Sequence, residues 1–320
     1  MSQNPTVSII LCTLNRSQHL RPTLASIACC DVPPDLPCEL LVVDNGSTDQ
    51  TREVAESAGL NNMPLRYLRE PIRGKSRAYN TAFSHAKGSI FISTDDDVRV
   101  PTHWIEGMAR PISDGRADAV AGGVIFPPHY AAPMSLPAVQ HRLAWFASTG
   151  GINPHTPERM VGANMAFGRH VLEAVSGFNL ELGPGAMGFC EETLFSYQLL
   201  DCGYRIVSAF DAAVEHHFDL SRLNRKSLLA LAAGLGRCDG YMEWHWFHRP
   251  HAVGPLLRLK NLTGLWRRRL KNLRRWTFGN EIDDWEINRV HLIAFRQQYL
   301  IESRKPRKFS RSARQAVAAA

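Results

Sequence analysis

The sequence predicts an α/β chain with a mostly parallel central sheet flanked by helices, followed by a basic helical extension. Three observations carry this expectation. Apolar, β-branched runs of the kind buried on both faces of a sheet alternate with helix-period segments over about the first 110 residues. Turns rich in Asp, Asn and Gly follow those runs, and residues 256–275 (LLRLKNLTGLWRRRLKNLRR) hold eight Lys or Arg and no acid.

The first strand is Val7 to Leu11. Ser17 then suits the cap of a helix whose apolar positions Leu20, Leu24, Ile27 and Ala28 recur at helical spacing. After the loop DVPPDLP, Glu39 to Val43 forms the second strand, and DNGSTD opens a helix from Asp49 to Ala58 that Gly59 closes. A third unit repeats the plan: a strand at Leu65 to Leu68, the helix GKSRAYNTAFSHAK, a stop at Gly88, and a strand at Ser89 to Thr94. Alternation of this kind implies parallel pairing with right-handed crossovers.

Beyond residue 110 the alternation relaxes. Ala119 to Phe126 reads as a strand, Pro127 to Pro137 as irregular, and GANMAFG (162–168) as a short stretch ahead of a helix. EETLFSYQLLDC, from Glu191 to Cys202, is helical with acids in the first turn, where the helix dipole favours them. Arg205 to Phe210 is the last expected strand, with His216 and His217 a few residues on.

Composition narrows the function classes. An apolar fraction of 44% in 320 residues supports a sizeable core, and the net charge of +7 points to an anionic partner or surface. Seven cysteines without CxxC spacing indicate neither a disulfide framework nor a zinc site, so a reducing cytosol is expected. The first residues do not read as a signal peptide, and no window approaches the roughly 20 apolar residues of a spanning helix. That argues against a processive synthase that threads its product through a membrane by itself. Despite the basic balance, no helix-turn-helix, zinc-finger or RNP-type pattern supports nucleic-acid binding.

The chemistry is concentrated in FISTDDDVRV, residues 91–100, where a strand runs into Asp95, Asp96 and Asp97. An acidic turn alone would account for such a triplet. However, Asp44 also falls at the carboxyl end of a predicted neighbouring strand, and ligands of open parallel sheets bind at that edge.

The motifs VSIILCTLNR, ELLVVDNGSTDQT, GKSRAYNTAF, STDDDV, GANMAFGRHVLEAVSGFN and FCEETLFSYQLLDCGYRI occur in this order. Over about Val7 to Gly240 the chain resembles a family 2 glycosyltransferase of the GT-A, Rossmann-like fold. The resemblance implies an inverting, metal-dependent transfer from a nucleotide-diphosphate sugar to a glycan, lipid-linked or small-molecule hydroxyl. Its cofactor would be Mg²⁺ or Mn²⁺, whose oxygen-rich coordination suits carboxylates.

Carried over residue by residue, Asp97, Asp95 and His216 become metal ligands, with His217 the competing register. Thr13, Asn15, Asp44, Lys75, Arg77, Asn80, Asp95 and Asp96 become donor-site residues, with Asp44 either reading the nucleobase or closing an Asx turn. Lys75 and Arg77 either meet phosphate or form an exposed basic face. Asn164 falls on the acceptor side, while Trp104 and Trp145 fit core packing better than sugar stacking. Glu192 is the expected base and Glu191 its neighbour, although the family usually has Glu-Asp where this chain has Glu-Glu. That departure motivates an alternative, a catalytically silent glycosyltransferase-like binding protein.

The expected organisation is a transferase domain over 1–245, with a nucleotide-binding half to about residue 110 and an acceptor half from 111. A basic helical extension over 246–303 and a disordered tail over 304–320 follow. The expected location is the cytoplasm, and the basic extension is a candidate peripheral contact with the inner face of the cytoplasmic membrane.

Overall fold

A computed structural model of the chain describes residues 5–271 and 283–310, with backbone alone over 255–261. The described chain divides into two compact units. The first runs to Ala131 and adds Leu143–Gly185 and Glu191–Phe218; the second comprises Ala132–Arg142, Ala186–Cys190 and the residues from Asp219 onward.

The first unit is built on β1 (Val7–Thr13), β2 (Cys38–Asp44), β3 (Leu65–Arg69), β4 (Ile90–Asp95), β5 (Val98–Arg99), β6 (Ala119–Ile125), β7 (Asn164–Gly168) and β8 (Ile206–His216). These form one sheet in the order β3-β2-β1-β4-β7-β6-β8-β5. β1 pairs in parallel with β2 and β4, β2 with β3, and β6 with β8. β7 runs antiparallel between β4 and β6, and β5 antiparallel to β8. The sheet is thus parallel in its first half and mixed in its second.

Helices α1 (Ser17–Ala28), α2 (Thr51–Glu56), α3 (Lys75–His85) and α4 (Trp104–Ser113) fill the connections. Single turns α5 (Ala131–Met134) and α6 (Pro137–Gln140) occupy the Pro-rich stretch expected to be irregular, and α7 (Glu191–Asp201) precedes β8. On one face Val7, Ile9 and Leu11 of β1 join Leu20, Leu24 and Ile27 of α1 with Trp104, Ile105 and Met108 of α4. On the other, Ile10 and Cys12 join Ala78, Tyr79 and Ala82 of α3 with Phe195 and Leu199 of α7. Burial on both faces explains why Ile9, Ile10 and Leu11 of β1 are apolar in succession rather than in alternation, with about 1.5–3 kcal/mol for each large side chain removed from water.

Three local expectations change. α1 begins at Ser17 itself, whose backbone N–H donates to Asp49 Oδ2 (3.0 Å), so the cap comes from the β2–α2 loop rather than from Ser17. The segment after β7 is a 3₁₀ turn, Arg169–Glu173, instead of an α-helix. β8 continues to His216, because its register against β6 jumps between the Gly122–Ala209 and Val124–Val214 pairs. An irregularity of this kind interrupts the alternation by which a strand is recognised.

The second unit contains α8 (Arg225–His245), α9 (Pro255–Lys271) and α10 (Asp284–Glu302). α8 and α10 touch through glycines: a Cβ on Gly236 would stand 2.3 Å from the His291 carbonyl oxygen, and one on Gly240 2.6 Å from that of Phe295. Two fully buried side chains, His245 and Glu302, meet at 3.1 Å across the same pair. Arg225 and Arg269 converge on Glu286 at 2.5 and 2.6 Å. The end of the basic run, residues 272–275, and the Ala-rich tail, residues 311–320, lie outside the described residues. Among the described residues no helix is long and apolar enough to cross a membrane.

Candidate active site

Strand register assembles the acidic end of the sheet. Thr13 at the end of β1 lies opposite Asp44 of β2, and its neighbour Cys12 opposite Asp95 of β4. Asp96 and Asp97 then turn the chain into β5, whose Val98 pairs with His216. That pairing sets His216 Nε2 3.2 Å from Asp97 Oδ1. One candidate ligand atom from each of Asp95, Asp97 and His216 falls within 4.8 Å of the others.

The tautomer of His216 follows from its second contact. Nδ1 lies 2.8 Å from the Phe146 carbonyl oxygen, which can only accept, so Nδ1 donates there and Nε2 is the ring atom turned toward Asp97. Histidines that bind metal are commonly oriented in this way. Two carboxylates and such an imidazole fit Mn²⁺ or Mg²⁺. His217 turns elsewhere: its ring faces Glu215 at 3.2 Å, and only its backbone N–H reaches Asp97, at the carbonyl.

Two side-chain cations stand on the triplet. Lys75, the first residue of α3, places Nζ 2.5 Å from Asp95 Oδ1. Burial works against the charge on Lys75, but Asp95, Tyr79 and Glu191 together outweigh it and keep the ammonium protonated well beyond its usual range. Arg16 sets Nη2 2.5 Å from Asp97 Oδ2 and Nε 2.9 Å from Asp96 Oδ1. Asp96 also accepts from Thr13 Oγ1 (2.7 Å), and burial raises its carboxyl to about 7 against the pull of Arg16. Arg16 is the residue that sequence reasoning passed over, although it closes the quoted motif VSIILCTLNR.

The opposite wall is the head of α7. Glu191 is buried, at 5% exposure, and Glu192 half-buried. Among the described residues, Oε2 of each is buried without a hydrogen-bond partner. Burial, then the neighbouring Glu192, push the Glu191 carboxyl well above the carboxylate range, with Lys75 opposing. Glu191 is also fenced in by Gly183, at φ +87°, where a Cβ would lie 2.9 Å from its Cδ. Gly162 adjoins the same groups with room to spare: a Cβ there would sit in ordinary contact, 3.7 Å from Lys75 Nζ and 3.9 Å from Glu192 Oε1. Lys75 and Glu192 therefore both border Gly162, and Lys75 also touches Asp95.

The remaining residues divide. Asp44 accepts from the Ser47 backbone N–H (2.7 Å) and Tyr67 Oη (2.6 Å), so its carboxylate does close a turn at the strand end. Asn15, at φ +53°, accepts from the Thr48 N–H at 2.7 Å and ties the first loop to the DNGST loop. Asn80 exchanges two hydrogen bonds with the Phe178 backbone, at 2.9 and 2.8 Å, and so braces a loop from within α3. Arg77 is half-buried with no ion pair among the described residues. Asn164, expected on the acceptor side, is instead fully buried. Its amide accepts from Trp104 Nε1 (2.9 Å) and donates to the Gly123 and Ala212 carbonyls (2.9 Å each), which leaves no group facing a ligand. Trp104 is a core residue, as expected.

Residues 8–169 match the profile of Glycosyl transferase family 2, about half the chain, and the chain belongs to that family. Glycosyltransferase AglE of Haloferax volcanii is 31% identical over 124 residues, 38% of this chain and 40% of that protein. The O-antigen chain rhamnosyltransferase WbaN of Salmonella anatum is 27% identical over 187 residues, 56% of either chain. The chain therefore spans only 40% and 56% of the length of these curated relatives. Among solved structures, the mannosyltransferase PcManGT from Pyrobaculum calidifontis, in complex with GDP-Man and Mn²⁺, aligns with a TM-score of 0.61 at 20% identity. That alignment covers 93% of this chain and 88% of the other, and at such identity it shows the GT-A fold. S. aureus TarS 1–349 in complex with UDP aligns at 0.50 with 17% identity over 96% and 94%.

Proposed function

We propose that this chain is an inverting, metal-dependent glycosyltransferase that moves a sugar from a nucleotide diphosphate to an acceptor hydroxyl. The observation that carries the reading is the position of Lys75, which contacts Asp95 of the metal trio and lies beside Gly162 and Glu192. Donor phosphate, divalent cation and acceptor base then share one crevice. Asp95, Asp97 and His216 would hold Mg²⁺ or Mn²⁺, which supplies Lewis-acid neutralisation of charge growing on the departing diphosphate. Lys75 adds a point charge to that diphosphate. Asp44 and Thr13 line the nucleoside end, and Asp44 keeps acceptor capacity beyond its two internal donors.

Glu192 is the acceptor base. It is the more exposed carboxylate of its pair and faces the Lys75 side of the crevice. Inversion needs one such group, to take the proton from the attacking hydroxyl, and general-base help of this kind contributes typically 10²–10⁴-fold. The O-antigen chain rhamnosyltransferase among the relatives favours an envelope glycan as acceptor, and Asp44 could serve a uridine, guanosine or thymidine diphosphate carrier.

A cytoplasmic protein with a peripheral membrane contact suits such acceptors. In α9, Trp266 is 50% and Leu270 59% exposed, flanked by Arg267 and Lys271. That mixture of apolar anchor and positive charge matches an anionic leaflet. Flotation with anionic vesicles should carry the protein at low salt and release it at high salt, and no salt-sensitive flotation would remove the membrane contact.

Transfer or donor hydrolysis with Mn²⁺ tests the main reading. Glu192→Gln should lower turnover about 10²–10⁴-fold while nucleotide-sugar binding stays within a few-fold of wild type. Binding without turnover in the wild type itself, across a broad acceptor panel, would favour the silent binding protein that Glu-Glu in place of Glu-Asp first raised.

A further inference from the structure

Asp97 has both oxygens engaged, Oδ1 by His216 at 3.2 Å and Oδ2 by Arg16 at 2.5 Å. A divalent cation held by Asp95, Asp97 and His216 needs at least one of them. Lys75 likewise occupies Asp95 Oδ1. The three carboxylates of the turn thus already have two positive side chains in contact, before any metal enters.

Arg16 is the more readily released of the two. Its side chain is 30% exposed, against 21% for Lys75, and it sits in the β1–α1 loop, between left-handed Asn15 and the first residue of α1. Its Nε lies 2.9 Å from Asp96 Oδ1 yet makes no aligned hydrogen bond, so one prong of the contact is electrostatic only. A guanidinium fork matches a diphosphate better than two carboxylates splayed on successive residues of a turn.

We infer that Arg16 is a tethered counterion that competes with the divalent cation for Asp97 and moves to the donor diphosphate when metal binds. The inference rests on the metal reading proposed above. Its consequence is thermodynamic: metal and nucleotide diphosphate bind with positive coupling, because each relieves a cost the other would meet alone. A nucleotide diphosphate draws Arg16 away from Asp97, and the metal leaves Arg16 in need of a new anion. By linkage the two enhancements are equal in size.

The test is Mn²⁺ binding followed by electron paramagnetic resonance of the free hexaaqua ion, on the full chain, alone and with saturating UDP or GDP. The wild type should bind Mn²⁺ weakly alone and on the order of tenfold or more tightly with the preferred nucleotide. Arg16→Gln should bind Mn²⁺ alone on the order of tenfold more tightly than wild type and lose most of the nucleotide enhancement. Arg16→Lys keeps the charge without the fork, guards against a fold defect in the glutamine variant, and should fall between the two. If the wild type couples Mn²⁺ to nucleotide but Arg16→Gln shows unchanged or weaker affinity for Mn²⁺ alone, or undiminished coupling, the role of Arg16 is overturned and the metal site stands. No Mn²⁺ binding by wild type with either nucleotide would overturn both.

Discussion

Two buried glutamates, one in each unit, meet opposite fates. Glu302 of α10 is fully buried and receives His245 Nε2 (3.1 Å), Lys305 Nζ (2.8 Å) and Gln298 Nε2 (2.5 Å). Burial pushes its carboxyl up, but those three donors outweigh burial and hold it below the ordinary value. Glu191 of α7 is almost as buried, has an oxygen without a hydrogen-bond partner among the described residues, and is pushed far up by burial and by Glu192. A buried acid satisfied from three sides fixes two helices together. One left short of donors keeps its proton to higher pH and sits where chemistry can use it, which is the pattern expected when stability is given up at a site.

The largest effect on this contrast should come from the satisfied side. Glu302→Ala leaves His245 and Lys305 without their acceptor in a buried helix pair, a loss of about 3–5 kcal/mol by analogy with other broken buried pairs. Urea unfolding at neutral pH measures it. pH sharpens the result, because the folded value of Glu302 lies below its ordinary 4.5. A depressed acid contributes stability that is present above about 4.5 and is lost as pH falls through the folded value. The wild type should therefore lose stability on acidification in that window, and Glu302→Ala should show a shallower slope there. Equal slopes would mean that the three donors do not ionise Glu302 more readily in the folded state.

The same contrast explains what could be read from sequence. The satisfied parts of the first unit were legible wherever periodicity is local: β1, β2 and β4 lie within a residue or two of expectation, and their ends deliver Asp44 and Asp95 to one edge. His216 was favoured over His217 through the resemblance, and the Val98–His216 register gives the physical reason for its contact with Asp97. Arg16 was missed because nothing in NRS distinguishes an arginine that folds onto carboxylates 80 residues away from one in water. Asn164 was misread for the complementary reason. Its partners come from α4 and from the segments around Gly123 and Ala212, three places that only the folded sheet brings together. The α8–α10 pair was legible as helix but not as partnership, since Gly236 and Gly240 signal close approach only once the facing helix is known.

The smallest expected effect is the most discriminating. If Glu191 holds its proton at neutral pH, Glu191→Gln replaces one neutral, hydrogen-bonding group by another of nearly the same shape. The rate of donor turnover should then fall less than about tenfold, against the 10²–10⁴-fold expected for Glu192→Gln. A protonated Glu191 exerts no charge repulsion on Glu192, so the pH dependence of turnover should change little in the variant. Steady-state rates with saturating Mn²⁺ and nucleotide sugar across pH 6–8 decide it. A Glu191→Gln enzyme as inactive as Glu192→Gln would place negative charge on Glu191. The two glutamates would then work as an ionised pair beside Lys75, and the difference drawn between Glu191 and Glu302 would lie in their partners alone.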